Sequence, residues 1–62
     1  MTQITKITVS GNTVWLTYNR RGNVYKGFTP FKKVEDAIAY AKATLTKWDL
    51  DFICVATSFE LI

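Results

Sequence analysis

The chain has 62 residues, a length that accommodates one compact domain and leaves no room for separate catalytic and regulatory units. Hydrophobic residues make up 48% of it and charged residues 21%, a composition that excludes a disordered chain. It contains no apolar run long enough to span a membrane and no N-terminal stretch typical of a secretory signal. We therefore expect a single cytoplasmic domain over residues 1–62.

The charged residues are divided unevenly along the chain. Met1–Lys33 contains six basic residues and no acid, whereas Val34–Ile62 contains two basic and five acidic residues. The net charge is +3. This asymmetry favours a polyanionic partner or an acidic protein surface, with ordinary solubility charge as the alternative explanation.

The first two predicted strands form a β-hairpin. Ile4–Val9 is rich in Ile, Thr and Val, and Val14–Tyr18 follows after the turn sequence Ser10-Gly11-Asn12-Thr13. A two-residue Gly11-Asn12 loop, with both residues able to adopt positive φ, predicts three pairs: Val9 with Val14, Ile7 with Leu16, and Thr8 with Trp15.

The second predicted hairpin turns at Asn19-Arg20-Arg21-Gly22, which has the preferences of a type I turn closed by a glycine bulge. In that register Val24–Thr29 is the third strand, with Tyr18 opposite Val24, Leu16 opposite Lys26, and Trp15 opposite Gly27. One sheet face then carries the core, namely Ile7, Val9, Val14, Leu16, Tyr18, Val24 and Phe28. The other face carries Lys6, Thr8, Trp15, Thr17 and Tyr25. A two-residue Arg21-Gly22 turn is the alternative, and it would expose Val24.

An amphipathic helix is predicted from Val34 to Trp48, because six apolar residues fall on one stripe: Val34, Ala37, Ile38, Ala41, Leu45 and Trp48. Glu35 and Asp36 suit its first turn and Lys47 its last. Phe52–Ala56 is apolar throughout, which is typical of a strand buried on both faces. After a helix it would run parallel to strand three or to strand one.

Together these elements predict an α+β domain of order β-β-β-α-β, with a mainly antiparallel sheet and the helix packed on one face. The last residues, Ser58–Ile62, include three apolar side chains. We expect them to extend the fourth strand, with a dimer contact as the alternative.

Few residues in this chain could support catalysis. Histidine is absent, and Cys54 lies in an apolar run without an activating base, so we expect it to be a buried, inert thiol. Glu35 and Asp36 are helix neighbours that point about 100° apart. Asp49 and Asp51 lack the further oxygen ligands that calcium requires. We therefore expect no enzymatic activity, no cofactor and no metal site.

The candidate binding site is the sheet face opposite the helix together with the tip of the second hairpin. It comprises Trp15, Tyr25, Arg20, Arg21, Lys6 and Thr17. Trp, Tyr and Arg are enriched at protein interfaces, so a protein partner is the first hypothesis, with inhibition or regulation as the role. Aromatics beside cations also suit single-stranded nucleic acid, which is the second hypothesis. A symmetric homodimer through the same face is the third.

Structural roles compete with binding at the same positions. The Trp15 ring is expected to cover Gly27. Arg20 and Arg21 would otherwise be a solvated turn, and Lys26 would be an edge residue that discourages the addition of another strand.

In general plan, a short sheet with one amphipathic helix resembles small phage-encoded inhibitors of host enzymes, including the RNA polymerase inhibitors of T7-like phages. The resemblance is one of architecture, carries no motif and assigns no residue. It implies a small protein that acts by binding another protein.

Overall fold

The computed structural model describes all 62 residues and confirms the predicted α+β architecture. Its elements are β1 (Thr2–Ser10), β2 (Thr13–Arg20), β3 (Asn23–Pro30), α1 (Val34–Leu45), β4 (Phe52–Cys54) and β5 (Glu60–Leu61). The strands lie in the order β3-β2-β1-β4, and β5 also pairs with β1. The two hairpins are antiparallel, whereas β4 and β5 run parallel to β1. Of the two predicted positions for the fourth strand, the one beside strand one is observed.

The register predicted for the first hairpin is confirmed, with Thr8 opposite Trp15 and Val9 opposite Val14. Gly11 has a φ of 61°, but Asn12 does not have a positive φ, which is the pattern of a type II′ turn. The Asn12 side chain donates a hydrogen bond from Nδ2 to the carbonyl oxygen of Phe31 at 2.6 Å. This bond ties the first turn to the end of β3.

The register predicted for the second hairpin is wrong by one residue. Arg21 and Gly22 both have positive φ, 54° and 81°, and form a two-residue type I′ turn. Tyr18 therefore lies opposite Tyr25, and Trp15 lies opposite Phe28. A slip of one residue moves every β3 side chain to the other face of the sheet.

This correction changes the assignment of the β3 side chains. Val24 and Phe28, predicted in the core, are 67% and 63% exposed. Tyr25 lies on the side of the sheet that α1 covers, whereas Lys26 lies on the opposite side with Thr17. The alternative turn, which predicted an exposed Val24, is the one observed.

A β-bulge at Thr5 interrupts the pairing of β1 with β2. The register shifts between Ile4 and Lys6, and the Thr5 hydroxyl donates to the carbonyl oxygen of Thr17 at 3.2 Å. Because a bulge inserts one extra residue, Ile4 and Ile7 can both face the core although they are three positions apart. Both are buried.

The core lies between α1 and the first two strands. Its buried apolar residues are Ile4, Ile7, Val9, Val14, Ala37 and Ala41. Leu16 and Tyr18, also predicted in the core, are partly buried against this cluster. Helix α1 packs on β1 and β2 rather than on β3. The opposite side of the whole sheet is left uncovered.

Helix α1 is shorter than predicted and ends at Leu45. The Thr46 hydroxyl and backbone N–H both donate to the carbonyl of Ala43, a local bond that competes with continuation of the helix. Trp48, predicted on the helix stripe, is exposed and forms a bridge with Ile53 instead. Val34 is exposed as well. Helix α1, with 12 residues, does not have the length and apolar composition that crossing a membrane requires.

The C-terminal residues lie along the edge of β1. Strand β4 stops at Cys54 rather than Ala56, because the N–H groups of Val55 and Ala56 both donate to the carbonyl of Ile4. The last residues were predicted to extend the fourth strand, but Glu60–Leu61 forms a separate strand, β5, that pairs with the same edge opposite Thr8 and Val9. Neither face of β4 is completely buried, and Cys54 is partly rather than fully buried.

Candidate functional site

The side of the sheet opposite α1 is called the open face here. Alternate residues of the three long strands and of β5 contribute its side chains, among them Lys6, Thr8, Trp15, Thr17, Val24, Lys26, Phe28 and Glu60. Lys6, Trp15 and Thr17 belong to the predicted site, and the structure brings these three together. A shallow depression between them is also lined by Thr8, Ser10, Lys26 and Ile62.

The most prominent feature of the open face is a pair of aromatic rings. Trp15 and Phe28 lie opposite each other on β2 and β3, with ring centroids 5.0 Å apart and planes tilted by 37°. Trp15 is 43% exposed and Phe28 63%. No helix or loop covers them, so the two rings form a continuous apolar surface in contact with water.

Two lysines flank this aromatic pair, and their electrostatic surroundings differ. The ammonium Nζ of Lys6 lies 3.9 Å from Oε2 of Glu60, an exposed ion pair between β1 and β5. Lys26 lies opposite Thr17 and forms no ion pair. The open face therefore presents one uncompensated ammonium group beside the two rings.

The tip of the second hairpin, Arg20–Asn23, forms a second surface with two tyrosines. Tyr18 and Tyr25 stack with ring centroids 5.6 Å apart and an interplanar angle of 22°. Arg20, Arg21, Asn23 and Tyr25 line a shallow depression beside the turn. The turn itself is held by the N–H of Gly22, which donates to Oδ1 of Asn19 at 3.1 Å.

The prediction that the Trp15 ring covers Gly27 is wrong. A Cβ added at Gly27 would lie 3.8 Å from Cε1 of Tyr18, so the tyrosine ring is the one that covers this glycine. The reason is the shifted register, which places Gly27 opposite Leu16 and beside the Tyr18–Tyr25 stack.

The predicted site therefore divides into two surfaces on opposite sides of the sheet. Tyr25, Arg20 and Arg21 lie at or near the hairpin tip, and Tyr25 does not share a face with Trp15. Phe28 and Lys26 belong to the open face but were not among the predicted site residues. The signal that points to them is the Arg21-Gly22 pair, because glycine fits the second position of a type I′ turn, but the same glycine also fits the bulge that closes a type I turn.

Strand β3 contributes residues to both surfaces, Tyr25 on one side and Lys26 and Phe28 on the other.

The structure contains no group of three His, Cys, Asp or Glu side chains that could hold a metal ion. No family model, curated protein or solved structure matches this chain.

Proposed function

We propose that this chain is a non-enzymatic binding protein that recognises another protein through its open face, in an inhibitory or regulatory role. The observation that carries the proposal is the Trp15–Phe28 pair, two rings in mutual contact on a sheet face that no other element covers. Aromatic side chains are enriched at protein interaction sites, which favours this role for the pair.

The energetics of the aromatic pair support a protein partner. Covering the exposed parts of both rings would remove roughly 200 Å² of apolar surface from water, worth about 5 kcal/mol before the costs of association. Aromatic residues surrounded by polar groups are also the usual centre of a binding interface. Thr8, Thr17 and the lysines provide that polar surround.

Single-stranded nucleic acid is the second candidate, and it is favoured by the position of Lys26 beside the rings. Two features make it the weaker one. Lys6 is already paired with Glu60, which leaves few cations on this face to neutralise phosphates. The rings also lean against each other, whereas separate stacking platforms suit successive bases.

The test is affinity capture from the cells of the source organism, with nuclease treatment of the lysate. The Trp15→Ala/Phe28→Ala double variant is compared with the wild type and with Leu50→Ala. Leu50 is an exposed apolar residue in the turn before β4 and serves as the matched control. We expect the wild type and the control to retain the same protein partner and the double variant to lose it.

Three results would contradict the proposal. Equal recovery of the partner by the double variant would exclude the open face as the interface. Recovery that disappears with nuclease, and oligonucleotide binding that weakens steeply with salt, would support nucleic acid instead. A dimer in light scattering that dissociates in the double variant would show that the face pairs with a second copy.

A further inference from the structure

Strand β3 has one edge without a neighbour, because the sheet order is β3-β2-β1-β4. The N–H of Phe31 donates to the carbonyl of Asn12, which shows which residues of the antiparallel ladder form hydrogen-bonded pairs. By alternation from this pair, Tyr25, Gly27 and Thr29 bond to β2. The backbone groups of the alternate residues, Val24, Lys26 and Phe28, therefore point away from the sheet.

These outward groups have no partner elsewhere in the chain. None of the turn, loop or side-chain hydrogen bonds uses the backbone of Val24, Lys26 or Phe28. Pro30 ends the available segment, since it is the next outward-facing residue and has no N–H to donate. The free edge therefore offers five residues, Val24–Phe28, with three N–H donors.

The side chains at these outward positions define what could pair there. Val24, Lys26 and Phe28 all lie on the open face, in the order apolar, basic, apolar. Residues directly opposite on an added strand come within about 5 Å, so opposite charges stabilise and like charges destabilise the pair. From position 20 to position 33 the chain carries five basic residues and no acid.

A second copy of this chain is a poor occupant of the edge. Two β3 strands paired antiparallel about their centres would place Lys26 opposite Lys26. A carboxylate in that position would instead neutralise the ammonium group that has no ion-pair partner. Charge complementarity therefore selects an acidic segment.

We propose that an extended acidic segment of the protein partner adds to β3 as a further antiparallel strand, with an acidic residue opposite Lys26 and apolar residues two positions to either side. This inference rests on the proposed function and names the partner's chemistry. The added strand would also contact both surfaces, because it borders Tyr25 on one side of the sheet and Lys26 and Phe28 on the other.

The test uses the full chain and a heptapeptide of sequence Thr-Val-Thr-Glu-Thr-Val-Thr with blocked ends. Amide exchange followed by NMR should be fast at Val24, Lys26 and Phe28 in the free protein and slow at Tyr25 and Gly27. At saturation with the peptide, exchange at the three outward amides should slow at least tenfold.

Peptide variants distinguish strand addition from non-specific electrostatic attraction between the acidic peptide and the basic chain. Replacing the glutamate by glutamine should weaken binding about two- to fivefold, the size of a cross-strand ion pair. N-methylation of the glutamate and the two valines should abolish binding, whereas N-methylation of the two inner threonines, whose N–H groups face away, should preserve it. A Lys26→Glu variant should prefer a peptide with lysine in place of glutamate.

Three outcomes would overturn the inference. These are no binding at millimolar peptide, binding that leaves exchange at Val24, Lys26 and Phe28 unchanged, and protection of these amides in the free protein together with a dimeric mass. If the Trp15→Ala/Phe28→Ala double variant nevertheless loses the cellular partner, the proposed function stands and only the strand-addition inference is wrong.

Discussion

Trp15 on β2 and Phe28 on β3 lie opposite each other, with ring centroids 5.0 Å apart, on the side of the sheet that α1 does not cover. Aromatic pairs across neighbouring strands stabilise a sheet by their mutual contact. The same pair is partly exposed and can therefore also contact a partner. One contact thus links the stability of the second hairpin to its proposed interface.

We expect the two rings to be energetically coupled. In a double-mutant cycle of Trp15→Ala and Phe28→Ala, the coupling free energy of unfolding should be about 0.5–1.5 kcal/mol. Urea unfolding of the wild type, both single variants and the double variant measures it. The control cycle pairs Trp15→Ala with Tyr25→Ala, whose side chains lie on opposite faces, and should be additive within about 0.5 kcal/mol. Coupling in the control cycle alone would indicate that Trp15 and Tyr25 share a face, as in the register first predicted.

Two valines on neighbouring strands test the same register through burial. Val14 is 0% exposed in the core, whereas Val24 is 67% exposed near the hairpin tip. Val14→Ala should reduce the free energy of unfolding by about 2–3 kcal/mol, since it removes buried methyl groups and leaves a cavity. Val24→Ala should change it by less than about 0.5 kcal/mol. Thermal unfolding of the two variants compares them, and equal losses would place both valines in the core.

The fold could be predicted from the sequence wherever a local pattern has one solution. Gly11-Asn12 leaves a single two-residue loop between strongly alternating strands, and the apolar stripe of α1 has the helical period. The predicted pairing contains no bulge at Thr5, although the odd spacing between Ile4 and Ile7 indicates one. Regular alternation cannot bury both residues.

The second hairpin could not be predicted because its local sequence fits two turns. Gly22 can close a type I turn as a bulge or occupy the second position of a type I′ turn. The alternating Val24 and Phe28 favoured the first solution on the assumption that β3 contributes to the core. Helix α1 packs mainly on β1 and β2, and no residue of β3 is buried in the core. Trp15, Lys6 and Thr17 were placed correctly because they lie on the two strands whose register was right.

The type I′ turn leads to opposite expectations at its two central residues. Arg21 adopts a left-handed φ of 54°, which is unfavourable for a side chain of this kind, whereas asparagine tolerates it. Arg21→Asn should therefore stabilise the protein by about 0.5–1 kcal/mol, and Gly22→Ala should destabilise it by about 1–2 kcal/mol. Chemical denaturation of both variants provides the measurement.

Gly27→Ala is the matched control for the turn. Gly27 does not have a positive φ, and an added Cβ would make an ordinary contact with Tyr18 at 3.8 Å. It should be tolerated within about 1 kcal/mol or slightly stabilise the protein. A loss of stability from Arg21→Asn would argue against the left-handed turn.

The C-terminal residues should contribute to stability through Phe59 and the β5 pairing. Phe59 packs against the core, and the N–H of Ile62 donates to the carbonyl of Val9 at 2.9 Å. Removing Phe59–Ile62 should lower the free energy of unfolding by about 2–4 kcal/mol, or the Tm by at least about 8 °C in a domain of this size. Phe59→Ala should reproduce most of that loss.

A Leu61→Ala/Ile62→Ala variant distinguishes the stability contributed by the Phe59 ring from that contributed by the last two side chains. Both side chains are exposed, and the backbone bond to Val9 is retained, so the cost should be below about 1 kcal/mol. If these residues instead served as a dimer contact, truncation would leave the Tm of the monomer unchanged and lower the mass seen by light scattering. Because Phe59 packs against the same core cluster that contains Val9, we expect the Tm to fall and the mass per particle to stay that of one chain.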